Sequence, residues 1–196
     1  MDKDTLRKKL KQERLQLSPP KHAELSQKAC TWLMQSSLWQ KSHSIALYIS
    51  VNGELDTSYL IKEVLEHSTS KKILLPFCTE EKCEMKLVPF TCKNNLTVGK
   101  FGIPVPQQID NCEESIPELI VMPLLGFDRN GTRLGYGGGY YDRLCSRTEF
   151  KTVLRIGLAF SFQEQEFLPQ EPWDMPLHGV CTENGLHYFV KNLPTG

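Results

Sequence analysis

The stretch Asp128-Arg-Asn-Gly-Thr-Arg-Leu-Gly-Tyr-Gly-Gly-Gly-Tyr-Tyr-Asp142 constrains this chain more than any other part of it. It follows a short apolar run, Leu119-Ile-Val-Met122, closed by Pro123, and it leads into Tyr140 to Arg147, which reads as a helix. Five glycines fall between Gly131 and Gly139. A strand, a glycine loop and a helix in that order direct backbone N–H groups and a helix dipole at an anion. Glycine tolerates positive φ and lets a ligand come close to the main chain. Arg133 is a fixed cation beside the loop and Asp142 a carboxylate just past it, which suits a phosphate and the metal that accompanies it.

Two familiar phosphate motifs nearly match and fail. Gly126 and Gly131 have the spacing of a Walker A loop, but Thr132-Arg133 stands where Lys-Ser/Thr is required. Gly135-Tyr-Gly137 begins a dinucleotide fingerprint, but Tyr140 occupies the third glycine position. A P-loop NTPase and a Rossmann dehydrogenase are therefore both unsupported. A ligand-free hairpin turn is the bland alternative for a bare glycine cluster. Arg133, the paired aromatics and Asp142 weigh towards a ligand.

The rest of the chain sets limits. At 196 residues one domain spanning 1–196 is expected, long enough to bury a sizeable core. The 23 basic and 23 acidic side chains balance, so composition does not favour nucleic acid as a partner. No apolar run approaches the roughly 20 residues that cross a membrane. Met1-Asp-Lys-Asp opens with charge and has no apolar segment behind it, so no signal peptide is expected. Seven scattered cysteines without a Cys-x-x-Cys pair indicate neither zinc nor a disulfide framework. Reduced thiols in a cytoplasmic protein are the expectation, and a monomer with them.

Periodicity predicts a helix over Asp2 to Leu17, with Leu6, Leu10 and Leu17 on one face and a strong basic bias in which Arg14 faces solvent. Ser18 is placed to cap a second helix that starts at Pro19 and runs to about Gln35, with Ala23, Ala29, Cys30 and Leu33 as its buried stripe. Trp32 and Trp39 read as packing residues. Ser44 to Ser50 reads as a strand, and Val51 to Asp56 as a loop whose Asp56 caps a helix over Thr57 to His67 with Tyr59, Leu60 and Val64 facing inward. Strands are predicted at Lys72 to Phe77 and Glu84 to Val88, an extended proline-stiffened segment at Gly99 to Pro106, and strands at Leu119 to Met122 and Val153 to Phe160. Phe162 to Leu168 is ambiguous, and short strands or turns follow at 178–182 and 185–189. Alternating strands and helices argue for a right-handed α/β sheet.

The residues Gly126-Phe-Asp128, Gly131 and Arg133 to Asp142 together resemble the signature of the 5-formyltetrahydrofolate cyclo-ligases, also called methenyltetrahydrofolate synthetases. The likeness extends in order along nearly the whole chain. Lys3-Asp-Thr-Leu-Arg7 is similar to the family's N-terminal Lys-x-x-x-Arg. Ile49 to Glu54 is similar to its folate loop. Gly102-Ile-Pro-Val-Pro106, preceded by Phe101, is similar to its Gly-Ile-Pro-x-Pro segment. Glu171-Pro-Trp-Asp174 is similar to its late acidic segment, with Trp173 where many relatives have His. The glycine stretch alone is diagnostic.

The resemblance implies a three-layer α/β/α fold with a largely parallel central sheet, like that of the NagB/RpiA/CoA-transferase-like proteins. It implies that ATP and 5-formyltetrahydrofolate become ADP, phosphate and 5,10-methenyltetrahydrofolate, through phosphorylation of the formyl oxygen and attack by N10. It implies ATP contacts from Lys3, Asp4, Thr5, Leu6 and Arg7 and from Arg133, Leu134, Gly135, Tyr136, Gly137, Gly138, Gly139, Tyr140 and Tyr141. Folate contacts would come from Ile49, Glu54 and Phe101, with Tyr136, Gly137, Gly138, Gly139 and Tyr140 shared between the two substrates. Arg133 and Tyr140 would act on the reacting groups, and Asp142 and Asp174 would hold Mg²⁺. Replacing Arg133 by Ala is expected to cost activity with little loss of fold, because a loop arginine contributes little packing. Two other classes stay open: an α/β enzyme acting on a phosphorylated metabolite without ATP, and a folate- or nucleotide-binding protein without turnover.

Overall fold

The structure, a computed structural model, describes residues 2–68, 70–78, 84–91, 96–99, 104–106 and 113–189. Seven strands among them form one sheet. In chain order they are β1 (Ser44–Ala46), β2 (Lys72–Cys78), β3 (Met85–Phe90), β6 (Leu119–Met122), β9 (Leu154–Leu158), β10 (Gly179–Thr182) and β11 (Gly185–Tyr188). Two small antiparallel pairs, β4 (Leu96–Val98) with β5 (Pro104–Pro106) and β7 (Gly126–Phe127) with β8 (Arg133–Leu134), lie outside that sheet. The strand order is β11-β10-β9-β6-β1-β2-β3. The five inner strands run parallel, and β3 and β11 close the edges as antiparallel strands.

The buried runs of the parallel strands follow from having both faces covered. Ile45, Ile73, Leu119, Val121 and Ile156 point to one face. There they meet α2 (Pro19–Gln35), α3 (Ser37–Lys41) and α4 (Ser58–His67) through Ala29, Cys30, Leu33, Trp39, Leu60 and Val64. Ala46, Leu74, Ile120 and Met122 point to the other face and pack on Leu144 and Cys145 of α5 (Tyr140–Ser146) and on Phe150 just beyond it. This gives the three layers that the alternation of strands and helices predicts. Helix α1 (Lys3–Leu15) lies apart from both layers, with Leu6 and Leu10 against Leu125, Leu134 and Leu168.

The path of the chain creates a crevice. From β1 the chain moves outward to β2 and β3, then returns to the other side of β1 as β6. The segments that leave the carboxyl ends of β1 and β6 therefore diverge, and ligands of open α/β sheets bind at such a point.

Several local expectations are corrected. Sheet pairing of β1 ends earlier than Ser50, where the carbonyl of Tyr48 is taken by the Thr57 hydroxyl at 2.5 Å, and the Tyr48 side chain is anchored by its hydroxyl donating to the carbonyl of Leu55 at 2.9 Å. Ser18 precedes α2 without a side-chain capping bond. Ala23 is exposed and Ser26 takes its place in the buried stripe, where its hydroxyl accepts the Asp56 N–H at 3.1 Å. Helix α4 starts one residue later than expected, with Thr57 at the N-cap position making no side-chain capping bond, while Asp56 before it accepts from the N–H and the hydroxyl of Ser58. Among the described residues no helix is long and apolar enough to cross a membrane.

Candidate functional site

A cleft of about 600 Å³ opens at the crevice between β1 and β6. Its walls include the segment after β1 (Tyr48 to Glu54), the ends of β2 and β3 (Pro76 to Cys78 and Met85), the glycine loop from Arg133 to Asp142, the N-terminal turns of α1, and residues 171–174.

The glycine stretch resolves into two parts. Residues 126–134 are a hairpin, β7 to β8, closed by a turn at Asp128. The Asp128 carboxylate is fully buried and accepts the N–H groups of Asn130 and Thr132 at 2.9 and 3.0 Å and that of Leu168 at 3.1 Å. Helix α1 seats tightly on this hairpin, since a side chain at Gly126 would come within 2.8 Å of Leu10. Residues 135–139 form the loop proper. Gly137 has φ +95° and Gly139, which precedes α5, has φ +64°, a region that residues with side chains rarely adopt. This part of the loop presents bare main chain to the cleft everywhere except Tyr136, which is 43% exposed.

Arg133 points from the end of the hairpin into the wall beneath the loop. Its side chain is 6% exposed, and Nη2 donates to both oxygens of Asp142 at 3.0 and 3.1 Å. Its Nε is buried with no hydrogen-bond partner among the described residues, and its guanidinium lies 5.6 Å from the centre of the Tyr141 ring. Asp142 also accepts the N–H of Met175 at 3.2 Å. The neighbouring acid, Asp174, receives Lys3 Nζ at 2.5 Å and the N–H of Glu171 at 2.8 Å, both on Oδ2. Arg7 reaches across to the loop, with Nε donating to the carbonyl of Gly135 at 3.0 Å, while its Nη1 pairs with Asp4 at 2.6 Å.

The opposite wall holds Glu54. It is buried, and its Oε2 accepts the N–H of Val51 at 2.9 Å. Burial raises its pKa above the usual 4.5, against the hydrogen bond from Tyr136, the Val51 N–H and the charge of Arg14. Burial and the Glu54 carboxylate together push the Tyr136 phenol upward.

The profile of the 5-formyltetrahydrofolate cyclo-ligase family matches residues 1–183. The chain belongs to that family. It is 30% identical to the 5-formyltetrahydrofolate cyclo-ligase of Escherichia coli K12 over 178 residues, which cover 88% of this chain and 96% of the relative. The fold is similar to that of the Aquifex aeolicus 5,10-methenyltetrahydrofolate synthetase solved by NMR, with a TM-score of 0.83 at 35% identity, covering 100% of this chain and 97% of that one. It is also similar to the 5,10-methenyltetrahydrofolate synthetase of Mycoplasma pneumoniae, with a TM-score of 0.72 at 25% identity, covering 93% and 99%.

The cleft brings together most of the residues that the family likeness singles out. Lys3, Arg7, Ile49, Glu54, the run from Arg133 to Asp142 and Asp174 all line it. Asp4, Thr5 and Leu6 do not. Asp4 and Thr5 are exposed on α1, where both meet the Asp2 cap, and Leu6 is buried against Leu125 and Leu134. Phe101 lies outside the described residues. Among the described residues no cluster of three His, Cys, Asp or Glu side chains could cage a metal. Asp142 and Asp174 still fit Mg²⁺ chemically, because that ion commonly takes one or two carboxylates and completes its shell with water and phosphate oxygen.

Two residues at or behind the site, Tyr48 and Arg14, were not assigned to it from sequence, and Trp173 was noted only as a departure from the family pattern. Tyr48 is buried in the cleft wall, and Trp173 stands 67% exposed at its rim. Arg14, expected in solvent, is 1% exposed. Its position four residues after Leu10 and eight after Leu6 continues the apolar stripe of α1, and that spacing was the available signal. A long aliphatic stem lets an arginine occupy such a place provided its head finds acceptors.

Proposed function

We propose that this chain catalyses the ATP-dependent cyclisation of 5-formyltetrahydrofolate to 5,10-methenyltetrahydrofolate, with release of ADP and phosphate. The observation that carries the reading is one cleft with a glycine loop, bare apart from Tyr136, and cations on one side and a buried carboxylate on the other. A polyphosphate suits the first wall and an aminopyrimidine edge the second, since a carboxylate accepts two parallel N–H bonds.

An amide oxygen is a poor leaving group. In the proposed sequence the formyl oxygen attacks the γ-phosphorus of ATP, forming an O–P bond as the bond to ADP breaks. N10 then adds to the activated formyl carbon and gives up its N–H proton to the departing phosphate or to solvent, and the C–O bond breaks to release phosphate as the methenyl bridge closes. Such chemistry depends on alignment and charge stabilisation rather than on a protein nucleophile. Arg133 stabilises charge that develops on the transferring group. Lys3 and Arg7 hold the polyphosphate from α1, and the amides of the glycine loop cradle it. Glu54 orients the pterin, while Tyr136 and Tyr140 flank the folate. Asp142 and Asp174 would hold Mg²⁺, which when bound neutralises phosphate charge.

The test is the absorbance of the methenyl product on mixing protein, 5-formyltetrahydrofolate, Mg²⁺ and ATP. A signal that needs ATP and grows with turnover supports the ligase. Tight binding of both substrates without product would show a binding protein, and turnover without ATP would show another reaction.

A further inference from the structure

Arg14 is a buried cation that the proposed chemistry leaves unused. It has no carboxylate in hydrogen-bonded contact among the described residues. Its Nη2 donates to the carbonyl of Asn52 at 2.8 Å and its Nη1 to that of Leu124 at 3.4 Å, while Nε is buried without a partner. Its guanidinium carbon lies 5.6 Å from the centre of the Tyr136 ring. One side chain on α1 thus touches the turn that carries Glu54, the chain leaving β6, and the exposed tyrosine of the glycine loop.

The Asn52 carbonyl is an informative target. Asn52 and Gly53 have φ of 52° and 72°, and the N–H of Glu54 closes a turn on the carbonyl of Val51 at 3.0 Å. Asn-Gly is the pair that a turn with two left-handed residues favours, so the turn forms without strain and its neighbours fix where it points. Arg14 holds this turn from one side, and His22 Nε2 holds it from the other, 2.8 Å from the carbonyl of Glu54. A lysine could supply the charge but not the planar fork that spans two carbonyls.

We infer that Arg14 is the positioning residue for folate recognition, fixing the turn that aims Glu54 and seating Tyr136 beside it. The inference rests on the reading of Glu54 as the pterin-binding acid. The groups facing Glu54 are Arg14 from α1, Tyr136 from the glycine loop, Tyr48 from the segment after β1 and Tyr141 from α5. Arg14 is the one cation in that set. It therefore serves both the direction and the ionisation of the carboxylate, while Lys3 and Arg7 at the other end of α1 face the glycine loop and Asp174.

Steady-state kinetics with each substrate varied in turn test this on Arg14→Gln, Arg14→Lys and Glu54→Gln. Losing a charged hydrogen-bond donor should raise KM for 5-formyltetrahydrofolate about tenfold to a hundredfold in Arg14→Gln, with KM for ATP within about threefold of the parent. The acid limb of kcat/KM for the folate should move to higher pH, because the Arg14 charge is then lost and only the Tyr136 and Val51 hydrogen bonds oppose burial at Glu54. Arg14→Lys should keep that limb while retaining part of the KM defect. In a Glu54→Gln background Arg14→Gln should add less than about threefold, the sign of a shared role. If Glu54→Gln is impaired for folate but both Arg14 variants keep the parent folate KM and pH profile, the inference is overturned and the reading of Glu54 survives. An unimpaired Glu54→Gln overturns both. Equal rises in the two KM values, or a lowered melting temperature with kinetics unmoved, assign Arg14 to packing and overturn the inference. Should Arg14→Gln fail to fold, Arg14→Lys decides: a folate-selective rise in KM upholds the inference and its absence refutes it.

Discussion

Arg133→Ala should cost stability as well as activity. The expectation from sequence, that a loop arginine contributes little to the fold, does not survive the geometry. The side chain is 6% exposed and grips both oxygens of Asp142, itself 17% exposed. Truncation leaves a carboxylate in the cleft wall without its cation, a loss of about 3–5 kcal/mol for a fully buried pair. Asp142 keeps the Met175 N–H and some solvent, so the low end, about 3 kcal/mol, applies. For a chain of 196 residues that corresponds to a melting temperature lowered by roughly 7 °C. Calorimetry on the variant measures it directly. The pair Arg133→Met with Asp142→Asn should recover about 2 kcal/mol of the loss, because the asparagine is neutral and still accepts from Met175. Activity, followed by methenyl absorbance well below the melting temperature, should fall about a hundredfold or more in both variants, as when a transition-state donor is removed. A single variant that melts within about 2 °C of the parent would refute the argument that the pair is buried in effect. A single variant with normal turnover would refute the role of Arg133.

Four other outcomes are expected. Gly137→Val should abolish ATP binding in calorimetry, since φ of +95° strains any side chain there and its Cβ would meet Arg7 at 3.4 Å; retained affinity would mean that the phosphates do not approach this main chain. Asp142→Asn should raise the Mg²⁺ concentration needed for half-maximal rate, and an unchanged titration would count against metal ligation. Burial raises the Glu54 pKa above 4.5, so folate affinity should be lost, as pH falls, at a higher pH than an exposed glutamate would give. By the same linkage its contribution to stability is fully present below the unfolded value and is lost as pH rises through the folded one, and Glu54→Gln should melt higher than the parent at pH 7. Burial, reinforced by the charge of Arg155, holds His178 down at about 4, so its contribution to stability is lost as pH falls from 6.5 towards 4. A His178 imidazole resonance that titrates near 6.5 in NMR would exclude this.

Most of the fold was legible because burial dictates a period. Ile45, Ile73, Leu119 and Val121 alternate with Ala46, Leu74, Ile120 and Met122, and each set finds its own layer. The misses occur where hydrogen bonding overrides pattern. The apolar run after Ala46 reads as strand, yet the Tyr48 carbonyl pairs with the Thr57 hydroxyl instead of a neighbouring strand. Ala23 outranks Ser26 on hydrophobicity, but the Ser26 hydroxyl is needed inside to accept from Asp56. That Lys3, Arg7, Glu54, Arg133, Asp142 and Asp174 share one cleft was anticipated by the family likeness, Arg133 and Asp142 through the glycine motif and the others through separate, weaker segments. Arg14 was not, because a basic residue on a basic helix reads as solvated until the carbonyls that accept from it are known.

That miss changes the physical picture of α1. Read from sequence, it is an amphipathic helix whose basic face is turned to solvent and to a nucleotide. In the structure it is a strut with three fixed points: Lys3 on Asp174, Arg7 on the carbonyl of Gly135, and Arg14 on the carbonyl of Asn52. Lys3 and Arg14 are 11 residues apart, about 16 Å along a helix, and one strut therefore spans the wall proposed for phosphate and the wall proposed for pterin. Leu6 and Leu10 pin it to the hairpin beneath the glycine loop. A displacement of α1 along its axis would move all three contacts together. The alignment of two substrates on a shared loop is then a property of one rigid element, and alignment is the term on which a reaction without a protein nucleophile depends.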